Sequence, residues 1–111
     1  MLIFKIVDRD EWAAARGEYM GSAKDRADGF LHFSTAEQIP GTLARYYVDA
    51  DDLVLVAVDA DTLGTALKFE ASRDGALFPH LYMPLPLSAV KWARAIKRGA
   101  QGAFVLPDGM V

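Results

Sequence analysis

Gly29-Phe30-Leu31-His32-Phe33-Ser34-Thr35 and Leu77-Phe78-Pro79-His80-Leu81-Tyr82 carry both histidines of the chain in matching frames. Each frame alternates in the manner of a strand. Side chains at i and i+2 of a strand share a face. Phe30, His32 and Ser34 therefore point one way, and Leu31 and Phe33 the other. Phe78, His80 and Tyr82 likewise share a face opposite Leu81. Where two such strands approach, two imidazoles, a phenol and a hydroxyl converge beside aromatic rings. That combination makes a small ligand site.

Working outward, Leu2 to Val7 reads as a first strand. Asp8 with Glu11 three residues on resembles a capping box and predicts a short helix from about Arg9 to Arg16. Trp12 and Ala15 lie on its buried side, and Gly17 is its stop signal. Glu18 to Asp28 is polar and punctuated by glycine, and reads as a loop. Thr35 and Gln38 form a second capping box, opening a helix that runs to about Val48. Pro40-Gly41 is expected to break or restart it. Leu43, Tyr46 and Tyr47 recur at helical spacing and are expected to face the core. The apolar run Leu53-Val54-Leu55-Val56-Ala57-Val58 has strand length and the character of a central strand.

Further on, Asp59 to Leu63 reads as a turn. Leu67 to Ser72 alternates again, with Leu67, Phe69 and Ala71 opposed to Lys68 and Glu70. Arg73-Asp74-Gly75 is a turn, and Pro84 and Pro86 end the His80 strand. For Leu87 to Arg98 the preferred reading is one helical turn at Ser88, then a strand. Gly99 to Gly102 then turns the chain back into Ala103-Phe104-Val105-Leu106 as a closing hairpin. The sum is one α+β domain over residues 1–111, with mostly antiparallel strands and short flanking helices.

The bulk properties narrow the function classes. With 111 residues, 52% hydrophobic and 24% charged, the chain has the composition of a folded globular protein. Its net charge is −3. The nearest approach to a basic block, Lys91 to Arg98, spreads four cations over eight residues. It reads as one solvated face, so nucleic-acid binding is not indicated. The absence of cysteine excludes disulfides, thiolate nucleophiles and thiolate-bound zinc. No apolar run approaches the ~20 residues that span a bilayer, and the N-terminus is too short and charged for a signal peptide. The expectation is a soluble cytoplasmic protein without a membrane partner.

His32 and His80 are the first candidates for chemistry, since an ordinary imidazole titrates near neutral pH. Glu70 is the best-placed carboxylate, against the competing reading of a surface ion pair with Lys68 or Arg73. Ser34 and Thr35 precede a predicted helix start, where free backbone N–H groups favour an anion; Thr35 also serves there as the cap. Phe30 and Phe78 are placed to wall the site and Tyr82 to orient or stack on a ligand. Asp25 and Asp28 read as turn formers, and Trp12 and Trp92 as core. The common phosphate-loop, hydrolase-elbow and zinc-protease motifs are missing.

Tyr19-Met20-Gly21-Ser22, Asp28-Gly29-Phe30-Leu31-His32-Phe33-Ser34-Thr35 with Gln38, Phe69-Glu70, and Phe78-Pro79-His80-Leu81-Tyr82 together resemble the domain-of-unknown-function 952 family of small bacterial proteins. The resemblance covers nearly the whole chain and implies an ADP-ribosyltransferase-like fold, split antiparallel sheets around a cleft that holds NAD in true transferases. By that analogy His32, followed by Ser34 and Thr35, is the cofactor-holding position and Glu70 the carboxylate that orients the reacting ribose. If the site is catalytic, the implied chemistry is ADP-ribosyl or glycosyl transfer. The transferases' central Ser-Thr-Ser or tyrosine element has no placed counterpart in this sequence.

The leading expectation is thus a cleft for NAD, ADP-ribose or another phosphorylated nucleotide. It has catalytic candidates His32, His80 and Glu70, binding candidates Phe30, Ser34, Thr35, Phe78 and Tyr82, and no assigned metal. Two other readings stand beside it. One is a non-catalytic binding or accessory module with a protein partner. The other is a metal held by His32, His80 and Glu70 as a facial triad.

Overall fold

The computed structural model describes residues 1–110, with only the backbone at Arg73. The chain opens with β1 (Leu2–Asp8), α1 (Arg9–Ala14), β2 (Glu18–Tyr19), α2 (Ala23–Asp28) and β3 (Leu31–His32). A 3-10 turn over Ala36–Gln38 leads into α3 (Ile39–Tyr46), and β4 (Leu53–Asp59) follows. After two further 3-10 turns come β5 (Leu67–Ala71), β6 (Leu77–Leu81), β7 (Leu85–Pro86), β8 (Val90–Arg98) and β9 (Phe104–Val105). All named strand pairs are antiparallel.

The apolar run at β4 is central, as its composition predicts. It pairs with β1 on one side and β8 on the other in a sheet ordered β1-β4-β8-β9. Both of its faces are covered. Val54, Val56 and Val58 pack into a cluster with Ile3, Val7, Leu31, Phe33, Leu81 and Leu85. Leu53, Leu55 and Ala57 pack with Phe4, Ile6, Ile39, Leu43 and Ile96. A strand buried on both faces has no reason to alternate, which is why the run is continuous. The result is a single α+β domain of several small antiparallel sheets with short helices.

The smaller sheets position the histidines. β3, β6 and β5 form a three-stranded sheet with β6 in the middle, while β2 and β7 make a two-stranded one. His32 lies directly opposite His80 in the β3–β6 register. Beyond β3 the chain is stitched to β1, where Phe4 and Ser34 exchange two backbone hydrogen bonds of 2.8 Å. That crossing brings the three-stranded sheet against the edge of the larger one.

Several expectations change. Glu18 to Asp28 is not a loop: it holds β2 and α2. Ser22 caps α2, with Asp25 N–H donating to Ser22 Oγ at 3.2 Å and Ser22 N–H to Asp25 Oδ2 at 3.0 Å. This capping box is reciprocal, and Gly29 ends the helix with φ 87°. Losing the Ser22 hydroxyl should cost about 1 kcal/mol, so Ser22→Ala is expected to lower the urea midpoint with an unchanged slope. Tyr46 is 55% exposed and does not enter the core. Trp12 and Trp92 pack at the rims of the two clusters and not within them. Phe69, on the apolar side of β5, is exposed, although Leu67 on the same side packs against the core.

The cationic stretch of β8 is not uniformly solvated. Lys91, Arg94 and Lys97 are exposed, but Arg98 is turned inward. Its guanidinium donates to the carbonyls of Tyr47, Val48, Ala50 and Gly102. The Leu87–Arg98 reading holds: a 3-10 turn over Leu87–Ala89 leads into β8.

Candidate functional site

A cleft of about 470 Å³ opens between β1, α2, β3, β6 and the C-terminal end of α3. His32 and His80 line it, together with Phe30, Ser34 and Phe78. The convergence of the two histidine frames is therefore real: their ring centroids lie 5.6 Å apart, close to edge-on. Phe30 sits against both imidazoles, 4.6 Å from His32 and 4.1 Å from His80, and 5.2 Å from the Tyr82 ring.

The remaining expected residues stand further back. Thr35 does not line the cleft; it starts the 3-10 turn, and its N–H donates to Gln38 Oε1 at 3.0 Å. Glu70 and Tyr82 do not line it either. Glu70 Oε1 accepts from Tyr82 OH at 2.7 Å and lies 2.8 Å from His80 Nδ1. The hydrogen bond from Tyr82 and then that from His80 hold the Glu70 carboxyl below its ordinary range, and the same bond raises the Tyr82 phenol. Glu70 is thus bonded to His80 and Tyr82 and is not a plain surface ion pair with Lys68. Lys68 instead places its ammonium 5.3 Å from the Tyr82 ring centre.

Two carboxylates that read as turn formers are central. Asp25 is only 2% exposed. Its Oδ1 lies 2.6 Å from His32 Nδ1 and accepts the His32 backbone N–H at 3.1 Å. Its Oδ2 meets Lys5 Nζ at 2.8 Å, and Lys5 also donates to the His32 carbonyl at 2.9 Å. Burial by itself would raise the Asp25 carboxyl. The bonds from His32 and Lys5 outweigh it and hold the group well below the usual carboxylate range. On the far side of the ring, Asp28 Oδ2 lies 3.0 Å from His32 Nε2 and 3.0 Å from Lys24 Nζ.

Sequence reasoning passed over Asp25, Asp28 and Lys5, yet signals existed. Ser22-x-x-Asp25 has capping-box spacing. Lys5 is the sole charge within Leu2–Val7, and a lysine buried in such a run needs an anionic partner.

The two histidines differ in what they offer. Ionised carboxylates only accept hydrogen bonds. His32 has a carboxylate oxygen beside each ring nitrogen. His80 meets one, so its Nδ1 carries the hydrogen that Glu70 accepts. Among the described residues His32, His80 and Glu70 do not form a group placed to hold a metal. The deeper part of the cleft is hydroxylic and aromatic. Ser34 Oγ is 3.1 Å from Thr42 Oγ1, and the Tyr47 phenol donates to the Ile6 carbonyl at 3.4 Å. Burial, above the effect of Asp25, pushes that phenol up to about 12, so it remains a donor. No helix among the described residues is long and apolar enough to cross a membrane.

The architecture and sequence both have relatives. The crystal structure of protein CC0527 from Caulobacter crescentus is 47% identical, with a TM-score of 0.92 over 99% of this chain and 98% of that one. The solution structure of CC0527 is 49% identical over 92% of this chain and 90% of that one, with a TM-score of 0.82. No curated protein matches. Residues 6–93 match the model of a protein family of unknown function, DUF952, and they include both histidine frames. The chain belongs to the DUF952 family.

Proposed function

We propose that the cleft binds a small ring-bearing ligand of the phosphorylated-nucleotide class, with NAD or ADP-ribose the first candidates. The observation that carries this reading is the register of His32 against His80 with Phe30 packed on both, at the mouth of a cleft about 470 Å³ in size. Ligand pockets commonly occupy roughly 300–1,000 Å³ and combine apolar walls with a few fixed polar groups. Phe30 and Phe78 supply rings against which a base or nicotinamide packs. Ser22, Ser34 and Ser72 supply hydroxyls along the walls. Lys24 stands at the rim with its side chain 62% exposed, where it can exchange Asp28 for a phosphate.

The ADP-ribosyltransferase-like reading is part of this proposal, because the cleft lies where a small sheet splits from the larger one. The ligand is tested by NMR titration of labelled, tag-free protein with NAD and ADP-ribose. Saturable shifts are expected at Phe30, His32, Ser34 and His80. Phe30→Ala should weaken binding at least tenfold while the rest of the spectrum stays folded. Absence of shifts at millimolar ligand would overturn the nucleotide reading.

A further inference from the structure

We propose that His80 is the general base of the cleft and that Glu70 acts only through it, so the carboxylate is a positioning residue and does not touch the substrate. This rests on the reading of the cleft as a ligand site. It departs from the transferase analogy, in which the later carboxylate orients the reacting sugar directly.

The geometry separates the two imidazoles. His32 has carboxylates at both Nδ1 and Nε2, at 2.6 and 3.0 Å, so both of its ring nitrogens are already occupied. His80 has Glu70 at Nδ1 alone, and no described residue bonds its Nε2. Its side chain is 7% exposed and lines the cleft, with the centre of the Phe30 ring 4.1 Å away. A carboxylate bonded to Nδ1–H fixes the tautomer that leaves the Nε2 lone pair available, and stabilises the imidazolium once Nε2 takes a proton. Tyr82 OH, donating to the same Glu70 oxygen, fixes the carboxylate in turn. Among the described residues, the other charged groups around this ring are Lys68, opposite His80 on β5, and His32 with its aspartates on β3 and α2.

The step served is attack by a water or hydroxyl on the bound molecule. The O–H bond breaks and its proton passes to His80 Nε2. The oxygen forms a bond to the electrophilic centre, and the leaving group departs with the electron pair of its own bond. Nothing is oxidised or reduced. The substrate class is a phosphorylated nucleotide with a displaceable group, and the product leaves His80 to return its proton to solvent.

Two measurements on the tag-free full chain test this without a substrate. Long-range nitrogen–proton NMR is expected to show His80 as the Nδ1–H tautomer at neutral pH. Glu70→Gln, which keeps a carbonyl oxygen facing Nδ1, should preserve that signature, and Glu70→Ala should abolish it. Diethyl pyrocarbonate, mapped by mass spectrometry, should acylate His80 at least tenfold faster than His32. An Nε2–H tautomer at His80, or equal or faster modification of His32, would overturn the proposal. If Glu70→Ala does not fold, the wild-type tautomer and the relative reactivity still decide it. Nucleotide shifts together with an unreactive His80 would retain the ligand reading and end this one. A reactive His80 with no nucleotide shifts would overturn the nucleotide as substrate and leave only the pairing of His80 with Glu70.

Discussion

Replacing Asp25 with alanine is expected to destabilise the protein by about 3–5 kcal/mol, the range for breaking a buried ion pair on one side. The carboxylate serves four donors: Lys5 Nζ, the His32 ring and backbone nitrogens, and the Ser22 N–H. Lys5 is 4% exposed, so losing Asp25 strands a cation in the core. For a domain of this size the loss corresponds to a fall in Tm on the order of 20 °C. Adding Lys5→Met to Asp25→Ala removes the stranded charge and should recover part of the deficit, the coupling being read from a double-mutant cycle.

The same residue sets an acid limit. The folded-state pKa of Asp25 is depressed, so the unfolded chain binds the proton more readily. Its stabilising contribution is therefore complete above the unfolded carboxylate pKa of about 3.9 and is lost as pH falls through the lower folded value. The stability gap between wild type and Asp25→Asn should be constant near neutrality and should narrow below about pH 4. Urea titrations across that range measure it. A gap that stays flat to pH 2, or an Asp25→Ala loss under about 1 kcal/mol, would mean that Asp25 is not the anchor of this corner.

Arg98→Ala is expected to cost about 2–3 kcal/mol, the scale of charge-assisted hydrogen bonds, and the damage should reach the cleft. The guanidinium collects the carbonyls of Tyr47 at 2.8 Å, Val48 at 2.7 Å and Ala50 at 2.9 Å, which close the segment between α3 and β4. It also binds Gly102 O at 2.8 Å, tying the final hairpin to the same point, and packs 4.3 Å from the centre of the Phe104 ring. Tyr46 and Tyr47 line the cleft, so releasing this clasp loosens one of its walls. Arg98→Lys should rescue little, because one ammonium cannot reproduce the planar fork. Hydrogen exchange should accelerate at Tyr47–Ala50 and around Gly99–Ala103. A lysine variant as stable as wild type would show that charge alone is needed there.

Much of the fold follows from local chemistry. The run at Leu53–Val58 is apolar without alternation because both faces are covered. The turn at Ser88 and the closing strand at Phe104 were legible because backbone propensity acts over a few residues. The second histidine frame is a strand over Leu77–Leu81 and the first only over Leu31–His32, with His32 directly opposite His80. The resemblance to the DUF952 family was legible from those frames together with Tyr19-Met20-Gly21-Ser22, Gln38 and Phe69-Glu70, and the family match covers residues 6–93.

Partners distant in sequence were not legible. Asp25 has the local character of a turn former, and only the folding of β1 against β3 brings Lys5, 20 positions earlier, to its Oδ2. Glu70 was recognisable as a strand carboxylate, but its bond to His80 Nδ1 depends on the β5–β6 register. Arg98 looked like one more surface cation until the α3–β4 segment was packed beneath it. The sequence by itself determined the central strand, most of its neighbours and the two histidine-bearing segments, because period and capping are local properties. The tertiary structure decided that Asp25 and Asp28 flank the His32 ring while Glu70 meets His80 Nδ1, because hydrogen bonds are made between side chains that meet only after folding.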